Sequence, residues 1–339
     1  MTLSRKSATI AKFIFIILGI FLLLIIAKNY GISLAITEIK RVGFLIFFLV
    51  LTFIPTIICY ATSWMLSSEY WLMNNEKTFL RKLFIFIKIT LASIAWNNMT
   101  PFVKIGGEPL KYMMLLKHLP KSAALSSVVN YNIVHIFATC LSFIITLILL
   151  IFYYQVPALL LRWMVILLIF FLVVFVLGII AIRSRSFYQI KKYRFKLMRS
   201  FFINFHIITR KLLKFYDEKF ALFCIALFVD TFARFVEGLT FYYAFVILKF
   251  PISFLNSVLI DIGRTFVDTV FFFVPYQIGA REGGVHFFME NVLNLKASGF
   301  LSAVFLYRFV EIFWIFIGYL IWAKSKSFSI ESSSQSDIA

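Results

Sequence analysis

Unbroken apolar runs constrain this chain more than any other feature. FIFIILGIFLLLIIA at residues 13–27 and LIFFLVLTFIPTIICY at residues 45–60 are, with their flanks, long enough to cross a hydrocarbon layer of about 30 Å at about 1.5 Å per helical residue. Hydrophobic residues make up 62% of the 339, and 44 residues are Phe, which is more apolar surface than a soluble domain of this length buries. A transmembrane β-barrel would show short alternating strands instead of runs. The fold class read from this pattern is an all-α polytopic membrane protein. Its apolar segments fall at residues 11–27, 43–66, 83–96, 123–151, 158–182, 220–247, 252–275 and 297–323. The first follows Arg5 and Lys6 and continues into KNYGISL without a small-residue cleavage site, so it reads as an uncleaved span.

The formal net charge is +19. In a soluble protein that would suggest nucleic acid, but here Lys and Arg fall mainly in short loops between spans, and nucleic acid is set aside as a partner. The connector 183–219 carries eleven Lys or Arg against two acids and is expected to be cytoplasmic. Phe202, Phe205 and Leu212 lie near one helical face of it, which suits a helix on an anionic inner leaflet; a solvated loop that only sets topology fits as well. Counting outward from this anchor, residues 83–121 begin and end inside, and residues 252–296 begin and end outside. Each stretch is expected to be a re-entrant helical hairpin. The architecture expected is about six full spans plus two re-entrant hairpins, with halves 1–182 and 220–323, a tail at 324–339 and both termini cytoplasmic in the cytoplasmic (inner) membrane of a bacterium.

The two expected bends, 97–111 and 275–284, resemble each other. PFVKIGGE and PYQIGARE both place Glu seven residues after Pro, and their opposite entry sides suggest an inverted repeat with a substrate site at the repeat interface. In the first bend, Gly106 and Gly107 permit unusual dihedrals, Pro101 and Pro109 interrupt helix, and Lys104 and Lys111 add charge. Backbone N–H groups at a helix start there would favour an anion. Asn97 and Thr100 read as caps or as substrate hydrogen-bonders. The bland alternative is a tight cytoplasmic loop capped by Glu108.

Seven of the fifteen acids lie in apolar segments or in the bends: Glu108, Asp230, Glu237, Asp261, Asp268, Glu282 and Glu311. Each costs about 2.5–3.5 kcal/mol at a span's centre, against about 0.3–0.6 returned by a Leu, Ile or Phe, so each needs a partner or water. Asp230, Arg234 and Glu237 share one helical face, as do Asp261, Arg264 and Asp268, and Arg308 and Glu311 stand at i, i+3. Some of these pairs are expected to staple helices, Arg308 with Glu311 foremost; the rest, with Gly279, Arg281 and Glu282, are expected to line a polar substrate path. Asn130, Tyr131, Asn132 and His135 form a further polar face. The three Cys and four His lack metal-ligand spacing, and no metal, cofactor or catalytic residue is expected.

TPFVKIGGEPLKYMMLL, RFVEG, DIGRTFVD, VPYQIGAREGG and the late RFVE resemble the transmembrane region of the lysylphosphatidylglycerol synthase family over essentially the whole chain. The resemblance implies a flippase-like integral membrane protein that moves an aminoacylated or otherwise modified lipid. In the synthases a soluble domain attaches the amino acid; after Lys326 only SFSIESSSQSDIA follows, so aminoacyl transfer is not expected of this chain. The partner expected is a membrane lipid: an anionic or aminoacylated phospholipid, or a lipid-linked sugar. The rival expectations are a membrane enzyme with Glu108 or Glu282 as general base, and an accessory subunit of a biosynthetic enzyme.

Overall fold

The computed structural model describes residues 40–68, 78–99, 106–183, 216–250, 252–272, 280–295 and 300–336, together with Thr37 and Gln277. The expected first span 11–27, the connector residues 184–215 with their surface helix, and Thr100, Pro101, Lys104, Pro275 and Gly279 lie outside the described residues. Among the described residues all regular structure is helical. In chain order the helices are α1 (Leu45–Leu51), α2 (Ile54–Leu66), α3 (Phe79–Met99), α4 (Gly107–Leu115), α5 (Lys121–Tyr153), α6 (Ala158–Arg183), α7 (Phe220–Ile247), α8 (Phe254–Val270), α9 (Ala280–Asn291) and α10 (Phe300–Ser336).

Among the described residues, four stretches are long and apolar enough to cross a membrane: Leu45–Leu66, Lys121–Tyr153, Ala158–Ile180 and Ser302–Ser325. The first is broken at Thr52 and Phe53, where Pro55 has no N–H to offer the preceding turn. α6 is the most apolar of the four, and Met164 is the one buried residue among its described side chains. Water would penalise so bare an apolar helix, whereas lipid tails solvate it at no cost. A multi-pass membrane protein is therefore what this fold requires. α10 runs to Ser336, past the segment end expected at 323.

The chain divides into two compact units. The first comprises residues 1–54, 88–110 and 237–339. Glycines set its packing. A Cβ on Gly238 of α7 would stand 2.7 Å from Val258 Cα of α8, and one on Gly284 of α9 would stand 2.6 Å from a Val267 methyl of α8. A Cβ on Gly263 would stand 3.0 Å from the Phe288 ring of α9. Small residues let these backbones approach as in other membrane helix pairs. Ser253 caps α8 by accepting the Asn256 N–H at 3.1 Å. The α8–α9 hairpin is short: helices of 17 and 12 residues reach about 25 and 18 Å.

The second unit comprises residues 55–87 and 111–236. α5 and α6 form its helical hairpin, joined through extended backbone at Tyr154 and closed by Phe137 against Phe175 and Phe143 against Phe171. Trp64 is fully buried and stacks on Tyr131 while donating its N–H to Ser127 Oγ at 3.1 Å. Ser63 Oγ donates to the Ala226 carbonyl at 2.9 Å, tying α2 to α7.

Substituting Gly238 and Gly283 separates packing from helix propensity. Gly238→Ala must displace the α8 backbone and is expected to cost about 1–3 kcal/mol. A Cβ on Gly283 meets nothing within 4 Å, so Gly283→Ala is expected to be neutral or to gain up to about 1 kcal/mol. Thermal unfolding of the detergent-solubilised variants checks both.

Candidate functional site

The first unit buries a chain of ion pairs drawn from four helices. Arg264, on α8, is its centre. Its Nε donates to Asp261 Oδ1 at 2.8 Å, Nη1 to Asp268 Oδ2 at 3.0 Å and Nη2 to Glu237 Oε1 of α7 at 3.0 Å. The i, i+3 and i, i+4 spacings on α8 place both aspartates within reach of one guanidinium. Tyr307 of α10 covers the guanidinium face, with 4.6 Å from Cζ to ring centroid, and donates its hydroxyl to Glu237 Oε1 at 2.9 Å. Phe241 stacks on Tyr307 at 4.5 Å.

Asp268 carries the network onward to α9. Arg281 forks onto both of its oxygens, Nε to Oδ1 at 2.8 Å and Nη2 to Oδ2 at 2.6 Å, the bidentate geometry that suits a guanidinium. Arg281 Nη1 then reaches Glu311 Oε2 of α10 at 2.6 Å. One residue along α9, Glu282 Oε1 accepts from Arg308 of α10 through Nε at 2.9 Å and Nη2 at 2.6 Å. Gln277, buried with φ 49°, turns its side-chain oxygen toward Arg281 Nη2 at 3.4 Å. A non-glycine residue held at positive φ costs about 1–2 kcal/mol, and here it sits in the bend that delivers Arg281.

Taken by themselves, these groups comprise five carboxylates and three guanidiniums, a formal charge of −2 when all are ionised. All are buried except Glu311, whose side chain is 24% exposed. Desolvating so many charges is costly, and their attraction offsets the cost only because nearly every guanidinium N–H named above meets a carboxylate oxygen.

The expected sites are distributed unevenly. Glu237, Asp261, Arg264, Asp268, Arg281 and Glu311 are brought together, with Glu282 and Arg308 paired beside them. Arg308 pairs with Glu282 and Glu311 with Arg281, both partners lying on the facing α9. The first bend differs more from expectation. Asn97 Oδ1 accepts the Gly107 N–H at 2.7 Å, so this helix-start donor is satisfied from within the protein instead of facing an anion. A Cβ on Gly107 would stand 2.5 Å from the Ser93 carbonyl oxygen, which explains the second glycine of GGEP. Gly106 and Glu108 are half-buried at the same turn. Lys111 belongs to the second unit, where its Nζ lies 4.9 Å from the Tyr131 ring and 5.4 Å from that of Trp64. Arg234 belongs there too and donates through Nη2 to His135 Nε2 at 2.9 Å and to Thr139 Oγ1 at 2.6 Å.

Tyr307, Phe241 and Gln277 were not among the expected site residues. Tyr307 stands four residues before Glu311 and Phe241 four after Glu237, so the helical period alone would have put each on the face of an acid already singled out.

Removing one arm of the network exposes its cost. Arg281→Gln leaves Asp268 and Glu311 short of their partner and is expected to lose about 3–5 kcal/mol. Combining it with Asp268→Asn removes the uncompensated carboxylate and is expected to recover part of that loss. A double-mutant cycle on thermal stability reads the coupling.

The family model described as the lysylphosphatidylglycerol synthase TM region matches residues 9–318. No curated protein and no solved structure matches the chain.

Proposed function

The chain belongs to the lysylphosphatidylglycerol synthase TM-region family, and from that premise we propose that it is a lipid flippase whose buried ion-pair network receives a polar headgroup during passage across the bilayer. The observation that carries this reading is the Asp268–Arg281–Glu311 relay, which ends in a partly exposed carboxylate. A headgroup bearing both an ammonium and a phosphate can take the place of an internal ion pair. Its ammonium meets Glu311 or Asp268, and its phosphate takes the fork of Arg281. Each buried charge then keeps a partner of opposite sign during the exchange, so the barrier set by desolvation is lowered.

The partly exposed carboxylate of Glu311 at the end of the relay favours a headgroup with an amine. Aminoacylated phospholipids fit that description better than a purely anionic lipid or a lipid-linked sugar. Arg264 is the poorer phosphate receiver because its three nitrogens already serve three carboxylates. Its role is to hold Asp268 in place for Arg281. The α8–α9 hairpin, about 25 and 18 Å in its arms, is short for a full crossing, and it supports a re-entrant element that carries Arg281 and Glu282 to mid-membrane. The similar bends of the two halves support an inverted repeat whose rocking would alternate access. In this reading the basic connector and both termini face the cytoplasm, and the acyl chains stay in lipid throughout.

Reconstitution in liposomes tests the proposal. Lysylphosphatidylglycerol placed in one leaflet is expected to reach the other faster with the protein than without it. Glu311→Gln and Arg281→Gln, chosen at preparations that remain monodisperse, are expected to slow transfer about tenfold or more, equivalent to about 1.4 kcal/mol or more on the barrier. Folded wild-type protein that accelerates neither amine-bearing, anionic nor sugar-linked lipids would sink the reading.

A further inference from the structure

The second unit holds a separate charged group. His135 of α5 lies between two residues of α7: its Nδ1 is 2.9 Å from Asp230 Oδ1, and its Nε2 is 2.9 Å from Arg234 Nη2. A guanidinium nitrogen donates and never accepts. Nε2 must therefore present its lone pair to Arg234, which leaves the ring's single hydrogen on Nδ1, donated to Asp230. The contacts fix both the charge and the tautomer of the imidazole: it is neutral and Nδ1-protonated, and the three side chains together carry a formal charge of zero.

We propose that His135 is a proton-binding site and that occupying it detaches Arg234 from the imidazole. A proton added to the ring can land only on Nε2, and an N–H would then face an N–H. Arg234 must give up that contact, and the trio passes from zero to +1. Two features favour uptake. Asp230 is fully buried, and its Oδ2 has no hydrogen-bond partner among the described residues, so an adjacent imidazolium compensates a carboxylate that is otherwise poorly solvated. The His135 side chain is 38% exposed, so the ring is not sealed within the helix packing. Arg234 already holds a second acceptor, Thr139 Oγ1 at 2.6 Å, and lies over the Tyr60 ring at 5.9 Å, so it has places to settle once displaced.

The other groups that face the trio are named for each element around it. α2 contributes Tyr60, 5.5 Å from the imidazole centroid, and Cys59 beside Asp230. α5 contributes Tyr131, at 5.5 Å, and Cys140 beside Arg234. α4 contributes Lys111, set against Tyr131. This inference stands apart from lipid transport, because proton binding is read on the resting protein.

Nitrogen NMR of the histidine-labelled and arginine-labelled full chain in nanodiscs tests it across about pH 5 to 8, the window in which imidazoles change charge. The His135 resonances are assigned by their loss in His135→Gln, or, if that variant does not fold, by elimination through Gln substitutions at His118, His206 and His286. At the alkaline end His135 is expected to show the Nδ1–H tautomer alone. At the acid end both nitrogens carry hydrogen, and the Arg234 guanidinium resonances shift in the same step. Arg234→Gln is expected to keep the Nδ1–H tautomer, because Asp230 still accepts from that nitrogen. An Nε2–H tautomer in the wild type, a ring that gains no proton by about pH 5, or Arg234 resonances indifferent to the His135 step would each overturn the proposal.

Discussion

Everything in the first unit follows from the expense of placing ionised groups in an apolar chain. A single charge at mid-span outweighs the contribution of several Leu or Phe residues, so charges survive there only as members of a fully bonded set. Arg264 and Arg281 supply that set. Between them they engage Glu237, Asp261, Asp268 and Glu311, and Asp268 accepts from both. The glycines of α7, α8 and α9 are the steric counterpart of this electrostatic requirement. Without the close approaches at Gly238, Gly263 and Gly284, the helices bearing these side chains would stand too far apart for direct contacts near 3 Å.

A buried ion-pair network is poor evidence for stability, since well-packed apolar residues commonly do as well. Its value lies elsewhere. Each carboxylate here bonds to a guanidinium whose place a ligand cation could take, and the exchange leaves the carboxylate paired. An apolar core offers no such exchange. In this respect the network differs from the staples that join α2, α5 and α7, where Ser63, Trp64 and Ser127 make neutral hydrogen bonds that a charged headgroup has no reason to enter.

How much of this was legible in the sequence depends on the range of the interaction. The limits of three helices were readable, because helix formation in an apolar environment follows local hydrophobic content: α7 begins and ends where its apolar run does, and α5 and α6 extend at most two residues beyond theirs. The face of α8 was readable from helical spacing, whereas on α7 Glu237 bonds to Arg264 and Asp230 and Arg234 bond to His135. Pairing was not. Arg308 stands three residues from Glu311 on one helix, yet both bond to α9, because side-chain direction and the position of a facing helix decide the partner, and neither is written in local order. The same limit applies to Lys111. Its place beside GGEP suggested an anion site at the bend, but the helix turns its side chain onto Tyr131 and Trp64.

His135 illustrates the complementary case. In the sequence it is one polar residue among Asn130, Tyr131 and Asn132, more simply read as lining or as a helix–helix contact. The spacing of Asp230 and Arg234 is compatible with a direct i, i+4 pair, which would need no third residue. Interposing an imidazole from α5 changes the chemistry of that pair. The ring between them is the kind of group whose charge ordinarily changes in the physiological range. A relay of this kind converts the arrival of a proton into a change of hydrogen-bond partner at an arginine, and it does so without moving a helix. The ion pairs around Arg264 and Arg281 contain no such ring, so they lack this response.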